Sequence, residues 1–309
     1  MRDREVELSR DTAIALETEG IDVPVVPGRS SNLLRRSLRL GRTKVGLALV
    51  GFLVLIAVLG PLVAPHAPDA FVARPFSAPG TGGAVLGTDY LGQDVLSRFL
   101  HGGLNILVLA IISTAIGLVL GLAIGLAAAY SRNWLDDVLM RAMDVIMAFP
   151  QIMLALVAVS LVGPKNWVTI TAIALTTAPR VARVARGAAQ PVVERDFIGA
   201  TEAMGMSRFR IIGGELFPNI LGPMMVEASL RLTYSIAVIA ALAFLGLAND
   251  PNGPNWGTMI QQNQGALATQ PWGALLPILA IALLTMGTGL IGDGIARTAA
   301  GIDRERGDE

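Results

Sequence analysis

Cysteine is absent from the 309 residues, so a disulfide, a thiolate metal site and a cysteine nucleophile are all excluded. Lysine occurs only at Lys44 and Lys165, and neither follows the glycine-rich turn that a phosphate-binding P-loop requires. Histidine is confined to His66 and His101, far apart in the chain, which gives neither a metal set nor an acid–base pair. The serines lack the strand-turn-helix setting of a nucleophile elbow. Charge is scarce as well: charged residues make up 16% of the chain against 53% apolar ones, and the net charge is zero. With no basic patch interleaved with aromatics to neutralise phosphates, nucleic acid is excluded as a partner.

What fills the chain instead is long uncharged sequence. A bilayer core of about 30 Å needs roughly 20 apolar residues in a helix. Residues 45–64 and 104–130 carry no charge at all, and 219–247 and 274–292 are long and mostly apolar. Residues 143–163 form a further run, interrupted by Pro150, and 166–179 a short, threonine-rich one. The expectation is an all-α membrane protein with six transmembrane helices. Gly117, Gly121 and Gly125, four apart, would let a second helix approach closely. Glu227 and Arg231 lie inside the fifth run at i, i+4 spacing. Charges in hydrocarbon cost at least ~2.5 kcal/mol each, so the two should face the bundle interior and each other, as a structural ion pair or as part of a substrate path. Arg141 and Asp144 read as a second structural pair.

Orientation follows from the cations. Sixteen arginines and lysines lie in the Arg35 to Lys44 segment ahead of the first run, between the second and third, between the fourth and fifth, and after the sixth, against only Arg74, Arg98 and Lys165 on the other side. That bias puts both termini in the cytoplasm. The plan is then a cytoplasmic tail over residues 1–44, a first span at 45–64, an outer loop with an interfacial helix at 65–103, a membrane core at 104–292 and a second cytoplasmic tail at 293–309. The first run exceeds the 7–15 apolar residues of a cleavable signal and should remain as an anchor. Trp256 and Trp272, in the last outer loop, are expected at headgroup level.

Between the fourth and fifth runs, residues 190–218 form a charged, helix-compatible loop. Residues Glu194 to Met204 present Phe197, Ile198 and Ala200 to one side, and Gly205 can take the left-handed geometry that ends a helix. Ser207 can cap the next helix, with Phe209, Ile211 and Ile212 directed inward, and Pro218 suits the first turn of the fifth span. This loop resembles the EAA loop of ATP-binding-cassette import permeases, with Gly205 followed thirteen residues later by Pro218. Gly199-Ala-Thr201 stands where Glu-Ala-Ala is usual, so Glu202, three residues on, is expected to supply the missing carboxylate.

Other segments are similar to the dipeptide/oligopeptide permease subfamily, in its C-type subunit. These are Gly87-Thr-Asp-Tyr-Leu-Gly-Gln-Asp-Val-Leu-Ser-Arg98, which contains Asp89, Gly92 and Asp94; Phe244-Leu-Gly-Leu-Ala-Asn-Asp-Pro251; Pro254-Asn-Trp-Gly-Thr-Met259; Ile291-Gly-Asp-Gly294; and the Pro61 to Pro65 exit from the first span. Together they cover about residues 35 to 303. The resemblance implies a type I importer permease in a bacterial cytoplasmic membrane. It would work with a second homologous permease, two ATPase subunits or domains touching Gly199, Ala200, Thr201, Glu202, Gly205 and Pro218, and an extracytoplasmic binding protein. ATP and Mg2+ would bind the ATPase partners, and this chain would hold no cofactor or metal. Nickel, glutathione and haem importers share the permease type. A proton-coupled secondary transporter using Glu227 and Arg231 is the rival of another class, recognised by transport that persists without ATP hydrolysis.

Overall fold

A computed structural model describes residues 36–131, 134–250 and 252–299. Most of the two expected tails, together with Arg132 and Pro251, lies outside the described residues. The chain is helical, with no strand among the described residues and only two isolated bridges, Phe71 to Gln93 and Thr88 to Asp94.

The first helix, α1 (Gly41–Val63), is followed by a 31-residue connection and then by α2 (Val95–Tyr130), 36 residues and thus about 54 Å long. The interfacial helix expected before residue 104 is the start of α2 itself. Asp94 caps it, accepting from the Leu96 and Ser97 backbone N–H groups, so no break separates the two. Two short helices come next, α3 (Trp134–Met147) and α4 (Gln151–Val162), bent by 77° at the Phe149-Pro150 joint. The run at 143–163 is therefore not one straight span: Pro150 forces the preceding residue out of helical geometry, and α3 is amphipathic rather than uniformly apolar. Beyond these lie α5 (Asn166–Val193), α6 (Asp196–Ala203), the single turn α7 (Arg208–Ile211), a π turn over Ile212–Leu216, α8 (Phe217–Phe244), α9 (Trp256–Asn263) and α10 (Trp272–Ala299).

Among the described residues, four helices are long and apolar enough to cross a membrane: α1, α2, the continuous segment Arg208–Phe244 and α10. The α3–α4 pair would make a fifth if it crosses as one bent span. The helix α5 has the length but carries Arg180, Arg183 and Arg186. It is also the central element, packed against α2, α3, α4 and α8. The stripe of glycines on α2 makes the tightest of these contacts. A β-carbon on Gly121 would sit 2.5 Å from the Ala178 carbonyl oxygen and 2.5 Å from Val181 Cβ, and one on Gly117 would meet Ala174 and Thr177 at 3.0–3.1 Å. The expected close approach is present, with α5 as the partner.

Two apolar clusters organise the bundle. One joins α1, α2, α4, α5, α8, α9 and α10 through Leu53, Ile106, Ile173, Ile236, Trp256 and Leu284. The other sits where α2 and α5 end, and gathers Leu126, Ala185, Val192, Ile198, Ile211, Leu216 and Ile220. It is this second cluster that fixes the charged loop to the helices.

Candidate functional site

The two ends of α2 carry the two places where polar chemistry is concentrated. At its N-terminal end, the 65–94 connection folds into a knot rather than a solvated loop. Asp89, Asp94 and Arg98 are all buried. Asp89 accepts the Leu91 and Gln93 backbone N–H groups at 2.9 Å each and lies 3.3 Å from Arg98 Nε, while Arg98 donates to the carbonyl of Asn252 at 3.1 Å. That guanidinium ties the first long connection to the 248–271 one. Burial pushes the Asp89 carboxyl above the usual carboxylate range, an effect that the turn amides and Arg98 oppose. Gly87 and Gly92 have positive φ (80° and 77°), and a side chain on either would run into backbone carbonyls, of Ser77 and Ala73 respectively. Asp94 also receives the Ser97 hydroxyl at 2.6 Å and faces His66 Nδ1 at 3.2 Å, which fastens the exit of α1 to the start of α2. Within this region Trp256 is wholly buried. Its indole stacks on Phe99 and donates to the Phe99 carbonyl at 2.9 Å, so it is a core residue and not a headgroup anchor. Gly102 and Gly103 make the room it occupies.

At the other end of α2, three arginines one turn apart on α5 hold the bent pair. Arg180 donates to Gln151 at 2.7 Å, Arg183 pairs with Asp144, and Arg186 grips Asp136 through two bonds of 2.5–2.6 Å. The partner of Asp144 is thus Arg183, across to α5, rather than Arg141 on its own helix. Asp136 lines a cleft of about 470 Å³ with Trp134, Asp137, Gln190 and Glu194.

The 196–216 segment follows in the chain just after Glu194, which lines that cleft. Ile198 and Ile211 are fully buried in the second cluster, and Thr201, also buried, donates to the Ile198 carbonyl. Gly199 and Ala200 face outward, and a β-carbon on Gly199 would touch nothing within 4 Å. Glu202 is exposed, and one of its carboxylate oxygens accepts the Tyr130 hydroxyl at 2.6 Å, which links α6 to the last residue of α2. The helix then stops as Gly205 requires. At φ 76° its N–H bonds the Glu202 carbonyl at 2.9 Å, and the Met206 N–H bonds the Thr201 carbonyl at 3.2 Å, the two bonds of a Schellman end. Gly205→Ala has space for its methyl group but must hold positive φ, at a cost of about 1 kcal/mol. Amide exchange around residues 204–206 should then speed up about fivefold, with little change in α8.

Two details differ from expectation. Ser207 stands at the start of α7 without a side-chain capping bond. Phe209 points out to solvent, because a one-turn helix with Ile211 already in the core has no second inward position beside it. Pro218 lies in the first turn of α8, as expected, although Arg208–Phe244 runs on continuously through the π turn before it. That wide turn, closed by the Phe217 N–H on the Ile212 carbonyl, precedes the proline, which has no N–H to offer the helix. Further along α8, Glu227 and Arg231 do meet, Oε1 to Nε at 2.8 Å, both nearly buried, with the guanidinium 5.1 Å from the centre of the Tyr234 ring.

Sequence reading missed Tyr130 as the partner of Glu202, and the exposed apolar group of Met204, Met206 and Phe209. The three-residue spacing of Arg180, Arg183 and Arg186 was a visible sign of one helix face with a single task. No cluster of His, Asp or Glu that could hold a metal occurs among the described residues.

Comparison with known proteins adds the lineage. Residues 117–299 match the model of the family described as binding-protein-dependent transport system inner membrane component. The chain is 35% identical to the di/tripeptide transport system permease protein DppC of Pseudomonas aeruginosa, over 81% of this chain and 84% of that one. It is 34% identical to a putative peptide transport system permease protein of Brucella suis (94% and 95% covered) and 34% identical to the dipeptide transport system permease protein DppC of Escherichia coli (81% and 86%). Among solved structures it resembles a chain of the MetNI methionine ABC transporter in an inward-facing conformation, with TM-score 0.54, 19% identity, and coverage of 65% of this chain and 96% of that one. That likeness concerns the fold alone. With the family match spanning more than half of the sequence, the chain belongs to the inner-membrane permeases of binding-protein-dependent ABC transport systems, in the dipeptide/oligopeptide branch.

Proposed function

We propose that this chain is one of two permease subunits of an ATP-driven importer of di- and oligopeptides. The observation that carries the coupling role is the 196–216 segment: a short helix and turn facing outward, yet clamped by Ile198, Ile211 and Leu216 to the ends of α2, α5 and α8. A push on such a segment moves three long helices together. Gly199, Ala200, Thr201, Glu202, Gly205 and Pro218 belong to this surface or its hinge. Glu202, with one oxygen held by Tyr130, offers the other to a basic group of the ATPase. Six crossings fit the cation distribution: α1, α2, the bent pair, α5, α8 and α10, with both termini in a bacterial cytoplasm. In this reading α5 is polar because its arginines meet α3 and α4 rather than lipid.

The 65–94 knot and the 248–271 connection then face outward, where an extracytoplasmic binding protein delivers substrate. ATP and Mg2+ bind the ATPase partners. Peptide cargo is supported by the names of the relatives, which transport di- and tripeptides or peptides. The complex should be reconstituted in vesicles with its second permease, ATPase subunits and binding protein. Di- and tripeptides are expected to stimulate ATP hydrolysis several-fold through the binding protein, while nickel chelates, glutathione and haem leave it at the basal rate. Stimulation by one of those instead, or uptake that continues without ATP and follows a proton gradient, would falsify the cargo or the class respectively.

A further inference from the structure

The turn between α6 and α7 exposes an apolar knob that nothing else in the described chain covers. Phe209 is 90% exposed, more than any other large apolar side chain among the described residues, and Met204 and Met206 before it are 68% and 37% exposed. Exposed leucines and valines on α1 or α10 have lipid to face. Phe209 stands instead between Arg208 and Arg210, both exposed, on a segment whose own anchor, Ile211, is already in the core. Carboxylates are few on the same surface, Asp196 and Glu202 being the exposed ones of the 196–216 segment. Gly199 supplies no carboxylate, and Glu202 has committed one oxygen to Tyr130. An aromatic ring flanked by two guanidinium groups fits a pocket with an apolar floor and carboxylates on its rim, and the neighbouring methionines can repack against an irregular wall.

We infer that Phe209, with Met204 and Met206 beside it, is the principal docking contact for the ATPase subunit, entering an apolar, acid-rimmed pocket of that partner. The inference rests on the coupling role proposed for residues 199–218. Affinity then comes mainly from apolar surface removed from water, and Glu202 sets the pose of α6 through Tyr130. Docking of this kind resists salt, whereas an exposed ion pair is screened within about 8–10 Å at ordinary ionic strength.

The natural lack of cysteine makes the test direct, because Phe209→Cys introduces the only thiol of this chain. The variant is assembled with the second permease in inside-out vesicles, the partner subunits being stripped of their own cysteines. The thiol should react with a membrane-impermeant maleimide roughly tenfold more slowly once ATPase subunits are bound. Phe209→Ala should weaken ATPase retention about tenfold and Phe209→Leu much less, while about 0.5 M salt should change retention less than threefold. Retention unchanged by Phe209→Ala, or a thiol that stays reactive in the assembled complex, overturns the inference and leaves the coupling assignment standing. A thiol already shielded by the bilayer before any ATPase is added overturns it in favour of the membrane surface. Wild-type permeases that retain no ATPase subunit at all refute the coupling role, and the inference falls with it.

Discussion

Arg98→Met should destabilise the assembled permease by about 3–5 kcal/mol at neutral pH, and the loss should shrink as the medium is acidified. The substitution leaves the Asp89 carboxylate buried without its counter-charge and cuts the tie to the Asn252 carbonyl. Asp89 already binds its proton more tightly than an exposed aspartate because of burial, and removing Arg98 takes away one of the opposing influences. A carboxyl whose folded pKa lies above its unfolded value favours folding below the unfolded pKa, and that support is lost as pH rises through the folded value. The mutant should therefore melt at higher temperature at pH 5 than at pH 7, against the usual trend of acid destabilisation. Asp89→Asn combined with Arg98→Met keeps the oxygen that receives the Leu91 and Gln93 amides and removes the titrating group. Its melting point should lie between those of the single variant and the wild type, and should not vary with pH over this range. Thermal melts of the purified complex at several pH values decide the matter. A single variant whose stability falls on acidification would mean that Asp89 is not the group exposed by the loss of Arg98.

The second large effect is expected at Gly121. Even an alanine there places its methyl group 2.5 Å from both the Ala178 carbonyl oxygen and Val181 Cβ, and a backbone carbonyl inside a helix cannot step aside. The two helices must move apart, which opens gaps along the whole α2–α5 contact. The cost should reach or exceed the upper end of the about 1–3 kcal/mol typical of overpacking. Gly121→Leu should fail to accumulate in the membrane, and Gly121→Ala should accumulate poorly. Gly187 on α5 and Gly51 on α1 have open space where a methyl group would go, so Gly187→Ala and Gly51→Ala serve as matched controls. Both should accumulate at wild-type level or above it, since alanine suits a helix interior better than glycine by about 0.5–1 kcal/mol. Equal accumulation of Gly121→Ala and the controls would mean that the two helices do not rest on the glycine stripe.

How much of this was legible depended on whether a residue's partner lies nearby in the chain. The helices α1, α2, α8 and α10 follow from uncharged runs, a property of each segment alone. The Glu227–Arg231 pair and the Gly205 helix end follow from spacing within one turn. The burial of Trp256 does not, because the room for its ring is made by Gly102 and Gly103, more than 150 positions away. Asp144 looked paired with Arg141 for the same reason: its true partner, Arg183, sits on another helix. The outer-loop motif was recognisable as a pattern, but only the fold brings Asp89 to Arg98 and Arg98 to the Asn252 carbonyl. A bent pair such as α3–α4 looks like one span to any measure that averages hydropathy across Pro150.

The π turn at Ile212–Leu216 has one more geometric effect. Successive residues of an α-helix advance by 100°, so a turn that accommodates one extra residue shifts everything beyond it out of phase by about that angle. Phe209 and the interior face of α8 are therefore related by a rotational offset that a regular helix of the same length could not provide. Gly213 and Gly214, both exposed and with nothing within 4 Å of where a side chain would begin, form the part of the chain where that offset could be added or removed without disturbing the core. The azimuth of the knob around the bundle thus depends on five residues as well as on the anchors Ile211 and Leu216 that hold it to the helices.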